Sequence, residues 1–182
     1  ILNLYAAVAN NGVQMKPFLI KEVRENDQVI KSFKPEVLES RICSEETVVK
    51  LRAMLEGVVD SGTASDIRSL DYKIAGKTGT NLISGGSRKY SDKIYQATFV
   101  GYFPSNDPIY ACIVVVNNPD TKIGYYGGKV AAPVFRDIAD RIYSTEIAIH
   151  HSLEKKLVAK NERAVMKGNR ADLSVIYKQL NL

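Results

Sequence analysis

The stretch Ala75-Gly76-Lys77-Thr78-Gly79-Thr80 decides most of what the sequence predicts about the fold. Tyr72 and Ile74 precede it with strand-forming side chains, so we predict a strand over residues 72–80. Such a strand carries a fixed cation, hydroxyl groups that can bind a carboxylate, and a glycine that lets a bound backbone lie close. The stretch is therefore the candidate wall of a binding site.

Gly76-Lys77-Thr78 also matches the end of a phosphate-binding P-loop. That motif needs a glycine five residues before Gly76, so that successive backbone N–H groups surround the phosphate. Asp71 stands there instead and would repel a phosphate. The spacing therefore argues against a phosphate site, and a chance triplet in an ordinary strand is the plain structural alternative.

The composition is that of a globular domain. The chain has 182 residues, of which 45% are hydrophobic and 25% charged, with a net charge of +5. Lysine and arginine are scattered without interleaved aromatic residues, so we predict a solvated surface and no nucleic-acid partner. Cys43 and Cys112 show no metal or redox spacing, and Cys112 is predicted to lie in the core.

Helices are predicted at residues 2–10, 44–61 and 130–143, the second with Ser44 as its N-cap. The predicted apolar face of the second helix consists of Val48, Leu51, Leu55 and Val58. The predicted stripe of the third, which should lie on the sheet, consists of Val130, Val134, Ile138 and Ile142, with Phe135 and Ala139 beside it.

Strands are predicted as a small hairpin, residues 17–23 and 28–33, and as three core strands, 72–80, 94–103 and 109–117. A short turn joins the last two core strands and makes them antiparallel. The sequence therefore predicts an α+β fold, in which helices pack on antiparallel strands.

A folded portion at residues 1–147 and a charged tail or linker at 148–182 are predicted from the shift in composition. A long Gly- and Ser-rich loop, residues 81–93, is expected beside the candidate wall. His150 and His151 lie in the tail, but neighbouring side chains on a helix point about 100° apart, which does not suit a shared metal ion.

Several further motifs occur in the same order and spacing as in one known family. They are Gly62-Thr63-Ala64, the stretch Ala75 to Thr80, Phe99 to Pro104, the apolar strand ending at Asn118-Pro119, and Tyr125 to Phe135. With them, roughly residues 1–145 resemble the C-terminal part of the transpeptidase domain of class B penicillin-binding proteins. The resemblance implies the penicillin-binding protein and serine β-lactamase type of α+β fold.

The resemblance also implies a peptidoglycan D,D-transpeptidase. In the family, a serine attacks the penultimate D-alanine carbonyl of a stem peptide ending in D-Ala-D-Ala, and D-alanine leaves. An amine of a neighbouring stem peptide takes the acyl group, and penicillins acylate the same serine. The implied partners are stem peptides, β-lactam antibiotics and, through a longer parent, membrane proteins of division or elongation; no cofactor is implied. The implied location is the periplasmic or extracytoplasmic side of the inner membrane, with the parent anchored by an N-terminal helix.

Carried over to this sequence, the catalytic residues are Lys77 and Thr80, and Thr78 and Gly79 join them in binding substrate. Lys77 would supply a positive field and hydrogen-bond toward the serine of a Ser-x-Asn motif. Thr78 and Thr80 would bind the terminal carboxylate, and the Thr80 N–H would be one oxyanion donor, worth ~3 kcal/mol of barrier. Gly79 would keep the strand edge open, so that a peptide adds as an extra strand.

The sequence lacks the motifs that would complete this site. Its one Ser-x-x-Lys, Ser152 to Lys155, lies in the charged tail after Lys-Thr-Gly, whereas the family has it upstream, and Ser-x-Asn is absent. We therefore expect an inactive fragment of an enzyme. The alternative is a non-catalytic module of the same fold that senses β-lactams or binds another protein; upstream Ser-x-x-Lys and Ser-x-Asn motifs would separate the two.

Overall fold

The computed structural model describes residues 1–83 and 94–145. The chain divides into two compact units, Ile1–Arg141 and Ile142–Leu182, and of the second only the first four residues, the end of a helix, are described. Most of the predicted loop, the two histidines and Ser152 lie outside the described residues. Within the described ranges, no helix is long and apolar enough to cross a membrane.

Two helices with four short strands between them precede the main sheet. In chain order they are α1 (Leu2–Ala9), β1 (Gln14–Met15), β2 (Glu22–Glu25), β3 (Gln28–Ser32), β4 (Val37–Glu39), α2 (Glu45–Asp60), a 3₁₀ turn (Ser65–Ile67), β5 (Ala75–Leu82), β6 (Tyr95–Phe103), β7 (Tyr110–Asn117), α3 (Gly127–Val130) and α4 (Ala132–Thr145).

The main sheet has three antiparallel strands in the order β5-β6-β7. Thr78 pairs with Phe99 across the first pair of strands, and Phe103 pairs with Tyr110 across the second. Strands β2 and β3 form a separate hairpin, and β1 pairs with β4. The predicted α+β fold, with three core strands and a small hairpin, is therefore confirmed.

Aromatic rings join α4 to the sheet. Phe135 meets Phe99 and Phe103 edge to face, with ring centroids 4.8 and 5.7 Å apart, and all three side chains are fully buried. Edge-to-face packing is a favourable arrangement of aromatic rings.

The predicted stripe of the last helix is wrong at Val134 and Ile138, whereas Phe135 and Ala139, predicted beside it, are buried. Val134 and Ile138 are 43% and 37% exposed, and the buried face consists of Ala132, Phe135 and Ala139. The helix is interrupted at Ala131, so α4 begins at Ala132, and the small alanines let it approach the sheet closely.

Helix α2 begins as predicted: the Thr47 N–H donates to Ser44 Oγ at 3.2 Å, which satisfies one backbone donor that the first turn leaves free. Its buried residues are Val48 and Val59. Val48 was predicted to face the core, but at the end of the helix Val59 is buried in place of the predicted Val58.

Other boundaries differ from the prediction. Residues 17–21 precede β2 and are not part of it, with Leu19 fully exposed, and β5 starts at Ala75 and not at Tyr72. Cys112 is half-buried on β7 rather than a core residue, and its burial raises the pKa of its thiol.

A charged cluster ties α4 to the segment that leads into β5. Arg136 donates to the carbonyl oxygens of Ile67 and Arg68, at 2.9 and 2.6 Å. It also donates to Asp140 Oδ1 at 2.7 Å, and the Tyr72 hydroxyl donates to the same oxygen at 2.6 Å. Burial and the bond to Asp140 raise the pKa of Tyr72. Partial burial raises the pKa of Asp140, but the bonds from Tyr72 and Arg136 outweigh it and lower the pKa overall.

We expect Asp140→Asn to lower the free energy of unfolding by about 1 kcal/mol at pH 7, a modest value because this carboxylate is 47% exposed and partly screened. Because the folded-state pKa of Asp140 is lowered, its stabilisation is present above the unfolded-state value of about 4 and is lost as the pH falls below it. Thermal unfolding of the wild type and of Asp140→Asn across pH 2–7 measures the difference in stability.

Asp137→Asn, one turn away on exposed surface, is the matched control and should change little. A difference between wild type and Asp140→Asn that stays constant down to pH 2 would contradict the proposed ionic contribution.

Candidate active-site wall

Strand β5 presents all four predicted site residues at the edge of the main sheet. Lys77 and Thr80 are exposed, and Thr78 and Gly79 are half-buried. Because the strand order is β5-β6-β7, only one side of β5 pairs with β6, and no described strand pairs with the other side. The open edge can therefore accept an extended peptide as an added strand.

A cation and two hydroxyls lie together beside this edge. Lys77 Nζ donates to the Thr78 carbonyl oxygen at 3.0 Å and to Thr78 Oγ1 at 3.3 Å. The Oγ1 atoms of Thr78 and Thr63 are 2.9 Å apart. Thr63 follows a tight turn after α2, where a Cβ on Gly62 would lie 2.8 Å from Val58 Cα. This group offers an anion one positive charge, on Lys77, and the hydroxyl of Thr78.

The start of α3 packs backbone to backbone on β5. The Gly127 N–H donates to Thr80 Oγ1 at 3.0 Å. A Cβ on Gly127 would collide with the carbonyl oxygens of Gly79 and Thr98. A Cβ on Gly128 would collide with the carbonyl oxygen of Thr63. Only glycines allow this approach, so they fix where Thr80 lies.

Gly79 is required inside the protein as well as at the open edge. A Cβ at this position would collide with Oγ1 of Thr98, its partner on β6. The absence of a side chain at Gly79 therefore makes room for the Thr98 side chain.

Three tyrosine rings flank the end of the wall, the first two stacked and the third tilted against them. The Tyr95 and Tyr125 rings stack at 4.2 Å between centroids, and Tyr126 lies 4.3 Å from Tyr125. The Tyr125 hydroxyl donates to that of Tyr126 at 3.0 Å, which raises the pKa of Tyr125. Tyr95 pairs with Leu82, two residues beyond Thr80, so the stack offers an aromatic surface next to the candidate carboxylate site.

Sequence reasoning assigned no role to Thr63, Gly127 or the tyrosine stack. The double glycine before a helix was a usable signal, because such pairs permit close backbone contact. The contact of Thr63 with Thr78 gave no such signal, since it joins segments 15 residues apart through a turn. A cavity of about 540 Å³ between α1 and the β6–β7 turn includes none of the predicted site residues.

The sequence profile described as the penicillin binding protein transpeptidase domain matches residues 1–140. This chain belongs to that family. The predicted resemblance to class B penicillin-binding proteins is confirmed, and strand β5 with its Lys-Thr-Gly sequence lies within the matched residues.

Relatives and solved structures agree with this assignment. The chain is 36% identical, over 74% of its own length and 22% of the relative, to the probable peptidoglycan D,D-transpeptidase PbpC of Pseudomonas aeruginosa. The transpeptidase domain of Burkholderia pseudomallei penicillin-binding protein 3 is 30% identical, covers 80% of this chain and 41% of its own, and gives a TM-score of 0.58.

A third comparison supports the fold alone. The penicillin G acyl-enzyme complex of Mycobacterium tuberculosis penicillin-binding protein A has a TM-score of 0.63 at 24% identity, with 76% of this chain and 30% of that one covered. The chain spans about a fifth of the length of the curated relatives it matches.

We expect Gly127→Ala to destabilise the protein by about 1–3 kcal/mol, because its Cβ must displace the backbone of β5. Gly57→Ala is the matched control: it lies inside α2 with nothing within 4 Å of an added Cβ, and should stabilise by about 0.5–1 kcal/mol. Urea unfolding of both variants measures the effects. Equal stabilities of the two variants would show that α3 does not hold β5 as described.

Proposed function

We propose that this chain supplies the Lys-Thr-Gly wall of a peptidoglycan D,D-transpeptidase that works through an acyl-serine intermediate. The observation that carries the proposal is the grouping of Lys77, Thr78 and Thr80 on an open strand edge. The Gly127 N–H donates to Thr80 Oγ1 and fixes the position of that hydroxyl. The family assignment and the D,D-transpeptidase named among the relatives support it.

In the proposed reaction, the serine oxygen attacks the penultimate D-alanine carbonyl carbon of a stem peptide. The C–N bond to the last D-alanine breaks, and that D-alanine leaves with a proton. A neighbouring stem peptide's amine then attacks the ester, forms the cross-link and releases the serine. This chemistry needs no metal or organic cofactor.

Each residue of the wall has a proposed part in this reaction. Lys77 supplies positive charge beside the serine, and the hydroxyls of Thr78 and Thr80 bind the terminal carboxylate. The Thr80 N–H stabilises the oxyanion, and the open edge beside Gly79 pairs with the peptide backbone. β-Lactams would enter through the same carboxylate contacts, because they present a carboxylate next to a reactive carbonyl.

The nucleophile and general base are proposed to come from a longer parent protein. Residues 1–147 would then be the C-terminal portion of its transpeptidase domain, and 148–182 a charged tail or linker. We place the parent on the outer side of the bacterial inner membrane, anchored by an N-terminal helix, because its stem-peptide substrate is there. Division or elongation proteins would be its membrane partners.

Lys77→Ala in the complete parent should slow acylation by a reporter penicillin about 100-fold or more, the range seen when one preorganised electrostatic group is lost. Lys50→Ala, which removes an exposed lysine paired with Glu46 on α2, is the control and should leave the rate unchanged. Stopped-flow or gel fluorescence gives the second-order rate. An unchanged rate for Lys77→Ala would remove this residue from the mechanism.

The 182-residue chain on its own should form no adduct with a reporter penicillin, because it lacks an upstream Ser-x-x-Lys serine. Intact-mass spectrometry after prolonged incubation tests this, with the complete parent as the positive control. A stoichiometric adduct on the chain alone would overturn the fragment proposal and make Ser152 the first residue to examine.

A further inference from the structure

The hydroxyl of Thr63 is placed to control the hydroxyl of Thr78. Their Oγ1 atoms are 2.9 Å apart, and Lys77 Nζ donates to the same Thr78 oxygen at 3.3 Å. Thr63 and Lys77 are both exposed to solvent, so the packing of the core does not account for the contact.

The direction of these hydrogen bonds follows from counting donors and acceptors. A hydroxyl has one hydrogen to donate and two lone pairs that accept, whereas an ammonium group only donates. Lys77 therefore occupies one lone pair of Thr78. When Thr63 donates to the second lone pair, the hydrogen of Thr78 has no partner among these groups and is available to a ligand.

The opposite direction would leave Thr78 unable to bind a carboxylate. If Thr78 donated to Thr63, its oxygen could only accept from a ligand, and an ionised carboxylate has no hydrogen to give. A carboxylate at Thr78 therefore requires Thr63 to be the donor of the pair.

The backbone around Thr63 keeps its side chain in this position. The Ala64 N–H donates to the Val58 carbonyl oxygen at 3.1 Å, and Ala64 is buried. The Thr63 carbonyl lies against Gly128, where a Cβ would not fit. The turn after α2 and the start of α3 thus hold Thr63 from both sides.

We propose that Thr63 is a positioning residue, which orients the Thr78 hydroxyl to donate to the carboxylate of the substrate or of a β-lactam. This inference rests on the function proposed above. Thr63 acts through Thr78 and does not contact the acyl group, so its loss weakens carboxylate binding and leaves the acylation step itself unchanged.

The test compares Thr63→Val, which keeps the shape and removes the hydroxyl, with Thr63→Ser, which keeps the hydroxyl. In the complete parent, acylation rates are measured against concentration for a penicillin with a free carboxylate and for its methyl ester. We expect Thr63→Val to lower the second-order rate with the free acid about 5- to 50-fold, through weaker binding, as for a hydrogen bond to a charged group. The ester should react equally with both variants, and Thr63→Ser should stay within about 2-fold of wild type.

A double-mutant cycle gives an independent readout. On a Thr78→Val background, Thr63→Val should cause no further loss, because the hydroxyl that it orients is gone. Thermal unfolding checks that each variant is folded, and Thr63→Ala replaces Thr63→Val if the valine variant is not.

Three results would overturn the inference. The first is an equal loss of acylation rate with the free acid and with the ester. The second is an equal loss for Thr63→Ser and Thr63→Val, and the third is additive losses in the double-mutant cycle. Each would show that Thr63 has only a structural role. A wild-type parent that penicillin does not acylate would contradict the proposed function itself, and this inference with it.

Discussion

The close approach of Gly127 to the backbone of β5 is the contact on which the rest of the site depends. It sets the start of α3 against Gly79 and directs one backbone N–H to Thr80 Oγ1. Because the contact joins main chain to main chain, no side-chain movement can relieve an added methyl group. The position of the hydroxyls along the strand edge follows from this packing.

The two ends of β5 are held in different ways. Before the strand, Arg136 and Asp140 on α4 bind the backbone at Ile67 and Arg68 and the hydroxyl of Tyr72. Along the strand, the fixing contacts come from Gly127, Thr98 and Thr63. The charged cluster stabilises the approach to the strand, whereas the glycine contacts determine the geometry of the site. A change in either should alter stability, but only a change in the glycine contacts should also move the groups of the candidate site.

Local patterns predicted the elements well, because they depend on neighbours in sequence. The Ser44 cap, the β6–β7 hairpin and the candidate strand could all be identified from a few adjacent residues. The buried face of α4 was predicted only at Phe135 and Ala139, because it depends on the surface opposite. There the Phe99 ring lies over Gly76, where a Cβ would be 2.6 Å from Cζ, and α4 presents Phe135 and two alanines. Hydrophobicity alone favoured the valine and isoleucine stripe.

The candidate site shows the same difference between features set by adjacent residues and features set by distant ones. Lys77 to Thr80 are contiguous, so their type and order could be predicted, whereas Thr63 and Gly127 reach them from segments distant in sequence. We propose that these groups together form a carboxylate-binding wall. A crystal structure of the complete parent acylated by a penicillin tests this proposal. We expect the penicillin carboxylate within about 3 Å of Oγ1 of both Thr78 and Thr80. A carboxylate bound away from β5 would contradict it.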